Sequence, residues 1–573
     1  MRLEDILEKG YFPKELPPPF TTKQFSDHFK TMSNFKGMVG NSKTSIYSQF
    51  SIPKLSYFRT KVALINPYNF LVLAEIIKDN WAEIDTIFNG SSLTTSLPTI
   101  NTYTYSTQKT FSEFREESLL QSLGKNTLLT TDISRFYSSV YTHSIPWAIH
   151  TKPVAKANNS NSLFGNAIDT AVRNCQDKQT NGIPIGPITS LIIAEILLCD
   201  IDKKLASSGS IIKGKRYIDD FMLFFNNSLE AEEFFKQLQS LLTDLQLEIN
   251  SNKTKIEKMP FELDDVWISE ISTFISSSYN LKQKNFLTKL YSKILGLVKQ
   301  YPNKYIIKYL IVILEGIYIE RASWDLFQTY LLNLTKLEPS ILPNTLSIIL
   351  SYYSKYSFPV NDIKDFYISL IEQHLEKGNH FEVTWSLWSL LELGVTIDVQ
   401  TGNKILKSQD WCSKLILFHL EHMGLINGTL TQKSVEKTNI NPNDLYDQKW
   451  LFIYESFQKG WLVTNSGTHP VMQDTFFKQL KDNNISFYDI SERISRLDVD
   501  ELESNNLLTF EIDNSIITDS LDSIKEKISN AENFNDIKEA YQDLLGSFEN
   551  FIEDTNSEFS EHIQKLIDNK RDY

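Results

Sequence analysis

The run Ile211-Ile212-Lys213-Gly214-Lys215-Arg216-Tyr217-Ile218-Asp219-Asp220-Phe221-Met222-Leu223-Phe224-Phe225 decides how the chain is read. Apolar and aromatic residues lead up to two adjacent acids and then resume. This pattern predicts a β-hairpin whose tight turn carries two carboxylates. Neighbouring carboxylates repel each other, and a fold tolerates them when a divalent cation lies between them. Taken alone, a solvated Asp-Asp turn accounts for the pair equally well.

Working outward, residues 126–140 read as an apolar strand that ends in Asp132, then a turn and a helix. An acid at a strand's end faces the crevice where ligands bind. Gly182-Ile183-Pro184-Ile185-Gly186-Pro187 is a rigid loop that lets backbone approach a flat ligand closely. It precedes 188–203, long and apolar enough for a buried helix. After the acid pair, 228–247 has helical periodicity, and Leu247-Glu248-Ile249-Asn250 leads into Asn252-Lys253-Thr254-Lys255-Ile256, a strand–turn–strand signal. Nearer the N-terminus, 50–54 and 57–62 read as strands, and Asn66-Pro67 opens a helix over 68–81. Lys54, Arg59 and Lys61 thereby cluster on neighbouring strands. Such a cluster complements a triphosphate, and a solvated basic face explains it too. His143 has no second His or Cys at ligand spacing, so a packed or hydrogen-bonded histidine is expected.

From about residue 281 the character changes to apolar-periodic segments separated by short turns. Helices recur about every 20 to 25 residues, the scale of HEAT-like arrays, with a plain helical bundle as the alternative. The chain has 573 residues, too many for one core. Its three cysteines are far apart, which suits a reducing compartment. The N-terminus lacks a signal peptide's apolar core, the most apolar runs are short, and a cytoplasmic protein that meets no membrane is expected. The net charge of −14 argues at first against nucleic acid. However, residues 1–280 carry 28 basic and 30 acidic side chains, whereas 491–573 carry 8 and 21. The acid is concentrated in the tail, which reads as a solvated helical hairpin or a contact surface, with amphipathic pieces at 524–528 and 537–551. The rest can still hold a basic groove.

Asp132 to Tyr137, Gly182 to Gly186, Tyr217 to Asp220 and Leu247 to Thr254 come in the order of the motifs of reverse transcriptases, and residues 45–260 resemble that family. The spelling of Tyr141-Thr142-His143-Ser144-Ile145-Pro146-Trp147, of Phe50-Ser51-Ile52-Pro53-Lys54 with Arg59, and of Asn252-Lys253-Thr254-Lys255 is similar to the abortive-infection (Abi-type) and defence-associated enzymes of bacteria. The resemblance implies an α+β fold: right-hand polymerase fingers and palm over 1–275, then an all-α, HEAT-like repeat domain over 276–490 in place of a thumb, then an acidic helical segment over 491–573.

For the site, the resemblance implies two Mg²⁺ ions, with Mn²⁺ as a substitute, held by Asp132, Asp219 and Asp220 with the Ile133 carbonyl. Lys253 would give a proton to the leaving pyrophosphate. Tyr137, beside Phe136, would crowd a ribose 2′-hydroxyl. Arg59, with Lys54 or Lys61, would hold the triphosphate of a dNTP. Pro184 and Gly186 would pack against its base and sugar, and Tyr217 would line the same place. Two departures stand out: Ile185 where most reverse transcriptases have Gln, and Leu191 where the usual pattern has Pro. Both change the wall around nucleotide and template. The implied function is therefore an antiphage nucleotidyltransferase that adds dNTPs without a template, primed by a protein side chain that stays attached to the DNA, and assembled as a homo-oligomer. The alternatives are templated copying of a dedicated noncoding RNA, and a silent scaffold or phage sensor.

Overall fold

The acid pair caps a hairpin. In the computed structural model, which describes residues 1–31, 43–55, 58–101, 104–207, 212–261, 265–278, 281–431, 440–462 and 469–504, strands β5 (Thr127–Thr131), β6 (Lys213–Tyr217), β7 (Asp220–Phe225) and β8 (Lys255–Lys258) form one antiparallel sheet in the order β6-β7-β5-β8. Gly214 in β6 has φ +122 and lies so close to the β7 backbone that a Cβ there would overlap the Met222 carbonyl. The register does most of the positioning. Thr131 pairs with Phe221 on one side, and Thr130 pairs with Lys255 on the other. Continuing both ladders sets Asp132 beside Asp220 and across from Lys253.

The mixed α and β composition matches the expected class, and the chain folds as two units. Among the described residues, one comprises 1–261 and 360–494, the other 265–359 with 495–504. The helical stretch expected over 276–490 is thus divided between the units. Its later part packs with the strands, because the His380–Glu392 helix lies on strand β1 (Ser48–Lys54). β1 pairs antiparallel with β2 (Phe58–Leu64), and Tyr57 lies outside the described residues. A second small hairpin joins β3 (Pro98–Ile100) to β4 (Tyr105–Thr107). The expected buried helix after the glycine loop is Ile188–Ser207, apolar on nearly every side because it is enclosed. The Pro67–Asp79 helix starts where Asn66 caps it, its side chain accepting from the Tyr68 amide.

In the other unit, the helices Val266–Ser278, Gln283–Gln300, Ile306–Leu314, Trp324–Leu337 and Leu342–Tyr356 follow one another, and Val499–Ser504 returns onto the last of these. The tail pieces at 524–528 and 537–551 lie outside the described residues. Among the described residues no helix is long and apolar enough to cross a membrane.

Candidate active site

The acids expected to meet do so. Asp132 is 5% exposed at the end of β5, and its carboxyl hydrogen-bonds with that of Asp219. Lys253 places Nζ 2.6 Å from Asp132 Oδ2 and 3.9 Å from Asp220 Oδ1. Asn250 completes the cradle: its Nδ2 donates to Asp132 Oδ2 at 3.1 Å, and its backbone N–H donates to the Asp132 carbonyl at 2.8 Å. Ile133 is bridged to Ile249 by the same short ladder.

Crowding shows in the acidities. Burial, the bond with Asp132 and repulsion from Asp220 push the Asp219 carboxyl up to about 8. Burial pushes Asp220 up to about 6, against the pull of Lys253 and with the push of Asp132. Burial draws the Lys253 ammonium down, but Asp132 and Asp220 outweigh it and the net shift is upward. Three oxygen donors short of positive charge are the donor chemistry of a small hard divalent ion. Among the described residues no three His, Cys, Asp or Glu side chains form a ready-made metal cage; the cation beside Asp132 is Lys253 itself.

The turn that carries the acids is strained and held from behind. Ile218, β-branched, sits at φ +50, a region costly for such a side chain. Its N–H donates to Ser96 Oγ at 2.6 Å and its carbonyl accepts from Arg216 Nη1 at 2.8 Å. Ser96 Oγ donates to Glu195 Oε1 at 2.7 Å. Arg216, fully buried, also binds Asp202 Oδ2 at 2.7 Å and Glu195 Oε2 at 3.1 Å. Burial pushes the Asp202 carboxyl up, against the opposing pull of Arg216. None of Ser96, Glu195, Asp202 and Arg216 was singled out from sequence as a site residue. The position of Arg216 next to Tyr217 was the one local signal.

The glycine loop is tied into the same place. The Ile183 N–H donates to the Tyr137 carbonyl at 2.8 Å, the Gly182 N–H to the Val140 carbonyl at 2.7 Å, and the β2 residue Ala63 donates its N–H to the Ile185 carbonyl at 2.8 Å. Tyr105 Oη, from β4, donates to the Gly186 carbonyl. Gly186 has φ +119, and a Cβ there would press on Pro13. The neighbouring carbonyl of Pro184 accepts from Ser190 Oγ. Tyr137 lies within electrostatic reach of Tyr105, Asp219 and Tyr217, and burial raises its phenol well above the usual range. Phe136 is buried against it. Tyr217, the cross-strand partner of Asp220, has its hydroxyl 2.9 Å from Thr107 Oγ1 and its ring against Phe111 and Phe114.

The expected basic cluster is split, and the strand period is the reason. Arg59 pairs with Pro53 and Lys61 with Ser51, so these residues share one face; Lys54 pairs with Phe58 and points to the other. Lys54 is among the charges that Asp220 senses, as is Arg115, which the sequence reading missed. Arg59 is taken up elsewhere, with Nη1 2.6 Å and Nη2 2.7 Å from the carboxylate of Glu382 and Nε 2.7 Å from Ser51 Oγ. His143 is hydrogen-bonded, as expected, its Nδ1 2.8 Å from Asp169 Oδ2.

Residues 66–313 match the family described as reverse transcriptase (RNA-dependent DNA polymerase). The chain carries a reverse transcriptase-like nucleotidyltransferase domain. The matched region holds the Asp132, Asp219 and Asp220 cluster and leaves the β1–β2 hairpin outside. No curated protein matches the chain. Among solved structures, apo telomerase from Candida tropicalis is similar at 11% identity, covering 65% of this chain and 72% of that one, with a TM-score of 0.29. Telomerase from Candida albicans in complex with a fragment of telomeric RNA is similar at 11% identity, covering 71% and 70%, with a TM-score of 0.28.

Proposed function

We propose that the chain is a Mg²⁺-dependent DNA polymerase of a bacterial antiphage system that extends DNA from dNTPs without a template. The observation that carries the polymerase reading is the meeting of Asp132, Asp219 and Asp220 with Lys253 at the end of the sheet. These three carboxylates, with the Ile133 carbonyl, would hold the metal. Divalent ions bound there would activate the attacking hydroxyl and neutralise the pyrophosphate. The hydroxyl oxygen would bond to the α-phosphorus as its proton passes to solvent water, and the bond from that phosphorus to the pyrophosphate oxygen would break. Lys253, whose Nζ lies 2.6 Å from Asp132 Oδ2, would give a proton to that leaving group. Tyr137, fixed through its carbonyl to the glycine loop, is the wall that rejects a 2′-hydroxyl. Lys54 is the fingers cation that serves the triphosphate, since Arg59 is engaged by Glu382.

The antiphage role, the side-chain primer and the homo-oligomer rest on the motif spelling, as does the reading of the helical half as HEAT-like repeats. The template-free mode rests on Ile185 and Leu191. The full chain, incubated with each dNTP and Mg²⁺ or Mn²⁺ and no added nucleic acid, should yield DNA that protease digestion releases, and Asp219→Ala should yield none. Product appearing only with an added or copurified RNA, and complementary to it, would replace the template-free mode by templated copying. No product under either condition would sink the polymerase reading.

A further inference from the structure

We propose that the outward face of the Gln283–Gln300 helix binds the phosphodiester backbone of a DNA strand. Acids are 71 of the chain's 573 residues, yet the run 271–314 contains none and carries seven lysines. The helix buries Phe286, Leu290, Ile294 and Leu297 inward. Lys284, Lys289 and Lys299 are exposed on its other side, and Lys282 stands at its N-cap. The neighbouring lysines are balanced, Lys293 by Glu270 at 2.5 Å and Lys304 by Asp265 at 2.7 Å. Those four form no ion pair among the described residues.

An ordinary solvated helix face mixes signs, and this one does not. At its N-terminal end the charge also runs against the helix's own field, whereas Lys299 in the last turn lies with it. Lys282 and Lys284 sit at the N-terminal end, where the macrodipole disfavours cations, and the first turn has no acid. A local rule broken without compensation inside the fold points to a partner outside it. The partner's chemistry follows from the charge, since exposed ammonium groups of one sign complement a polyanion. At about 1.5 Å of rise per residue, Lys284 and Lys289 are about 7.5 Å apart along the axis, and Lys289 and Lys299 about 15 Å. Around the axis Lys284 and Lys289 are about 140° apart with Lys299 between them, so a strand that meets all three crosses the outward face obliquely. Between the lysines the surface is low: Ser292 and Gly296 are exposed, and nothing stands within 4 Å of where a Cβ of Gly296 would be. A backbone can therefore lie close without reading bases. The choice of DNA rests on the polymerase reading, since templated and template-free synthesis both leave a DNA strand to be held.

The test is fluorescence anisotropy of a labelled 30-nucleotide oligo-dT with the full chain across a series of KCl concentrations. Lys284→Gln/Lys289→Gln/Lys299→Gln should weaken binding at least about tenfold. It should also flatten the slope of log K against log salt by about 2, at roughly 0.7 for each phosphate no longer neutralised. Lys284→Arg/Lys289→Arg/Lys299→Arg should retain both affinity and slope, and both variants should melt like the parent. Unchanged affinity and slope in the Gln variant, an Arg variant that melts normally but loses binding, or a parent that does not bind the strand would each overturn the proposal. So would RNA of the same length binding more than tenfold tighter, or a Gln variant that changes only its oligomeric mass. The two readings separate cleanly. Asp219→Ala should bind oligo-dT like the parent, and a parent that binds with the expected slope but makes no DNA sinks the polymerase reading alone.

Discussion

The β6–β7 hairpin and the β1–β2 hairpin both bring charge to the same unit, and they leave it in opposite states. At the first, Asp219 and Asp220 crowd Asp132, the Asp219 carboxyl rising to about 8 and that of Asp220 to about 6, with one exposed lysine as counterweight. At the second, Arg59 is neutralised by both oxygens of Glu382, a carboxylate only 1% exposed. Behind the first hairpin, Arg216 is also paired, one cation to the two buried carboxylates of Glu195 and Asp202, and burial pushes Asp202 up. Balanced charge holds elements together, and unbalanced charge waits for a ligand. The sharpest way to break this distinction is Asp132→Ala, which removes the acid shared by Asp219, Asn250 and Lys253. Nucleotide incorporation by the full chain should fall by roughly 10³-fold with the melting temperature nearly unchanged. A variant that unfolds instead would make Asp132 a structural residue, like Glu382.

The converse should hold behind the turn. Arg216→Met leaves two buried carboxylates without their cation, and losing one partner of such a group costs about 3–5 kcal/mol. Urea unfolding should show that loss, and a change below about 1 kcal/mol would mean the buried acids are neutral without their arginine. Ser96→Ala is milder and more telling. It leaves the ion pairs intact but frees the N–H of Ile218 at φ +50. We expect kcat to drop about tenfold to a hundredfold, KM for dNTP to stay within about threefold, and the fold to persist. Ile218→Gly tolerates the same backbone without strain and should recover part of the loss in the double variant. Strictly additive effects would show that Ser96 does not act through that turn.

Sequence made one side of this contrast legible and hid the other. Asp132, Asp219 and Asp220 could be picked out because each lies at the end of a short apolar run, whereas their meeting and the role of Lys253 came from the resemblance in motif order. Ser96 offered no such signal: its partner Ile218 is distant in the chain, and a serine in a polar loop looks like any other. Lys54, Arg59 and Lys61 were grouped because they are close in sequence. The period of two that separates them was available and decides the matter once the register is known. Glu382 lay beyond reach for another reason. Helical periodicity says which stripe of a helix is buried, not what buries it, so the return of the His380–Glu392 helix onto β1 could not be foreseen.

The smallest expected effect tests the balanced hairpin directly. Glu382→Gln keeps the shape of the side chain and removes its charge. Arg59 would still be held by Ser51, whose hydroxyl and carbonyl accept from it at 2.7 and 2.9 Å, so the hairpin should stay folded. A lost charge-assisted pair at a partly exposed arginine amounts to about 1–3 kcal/mol, and denaturant midpoints should shift modestly. Incorporation should change by less than about fivefold, because the face of β1–β2 sensed by Asp220 carries Lys54 and not Arg59. A loss of a hundredfold or more without unfolding would show that the Arg59–Glu382 pair shapes the site after all. A marked gain, with a lower KM for dNTP, would show that Glu382 restrains an arginine the triphosphate can use. Lys54→Gln run in parallel decides between the two cations. Under the split-face geometry it should raise KM for dNTP several-fold more than Arg59→Gln does, and the reverse order would return the triphosphate to Arg59.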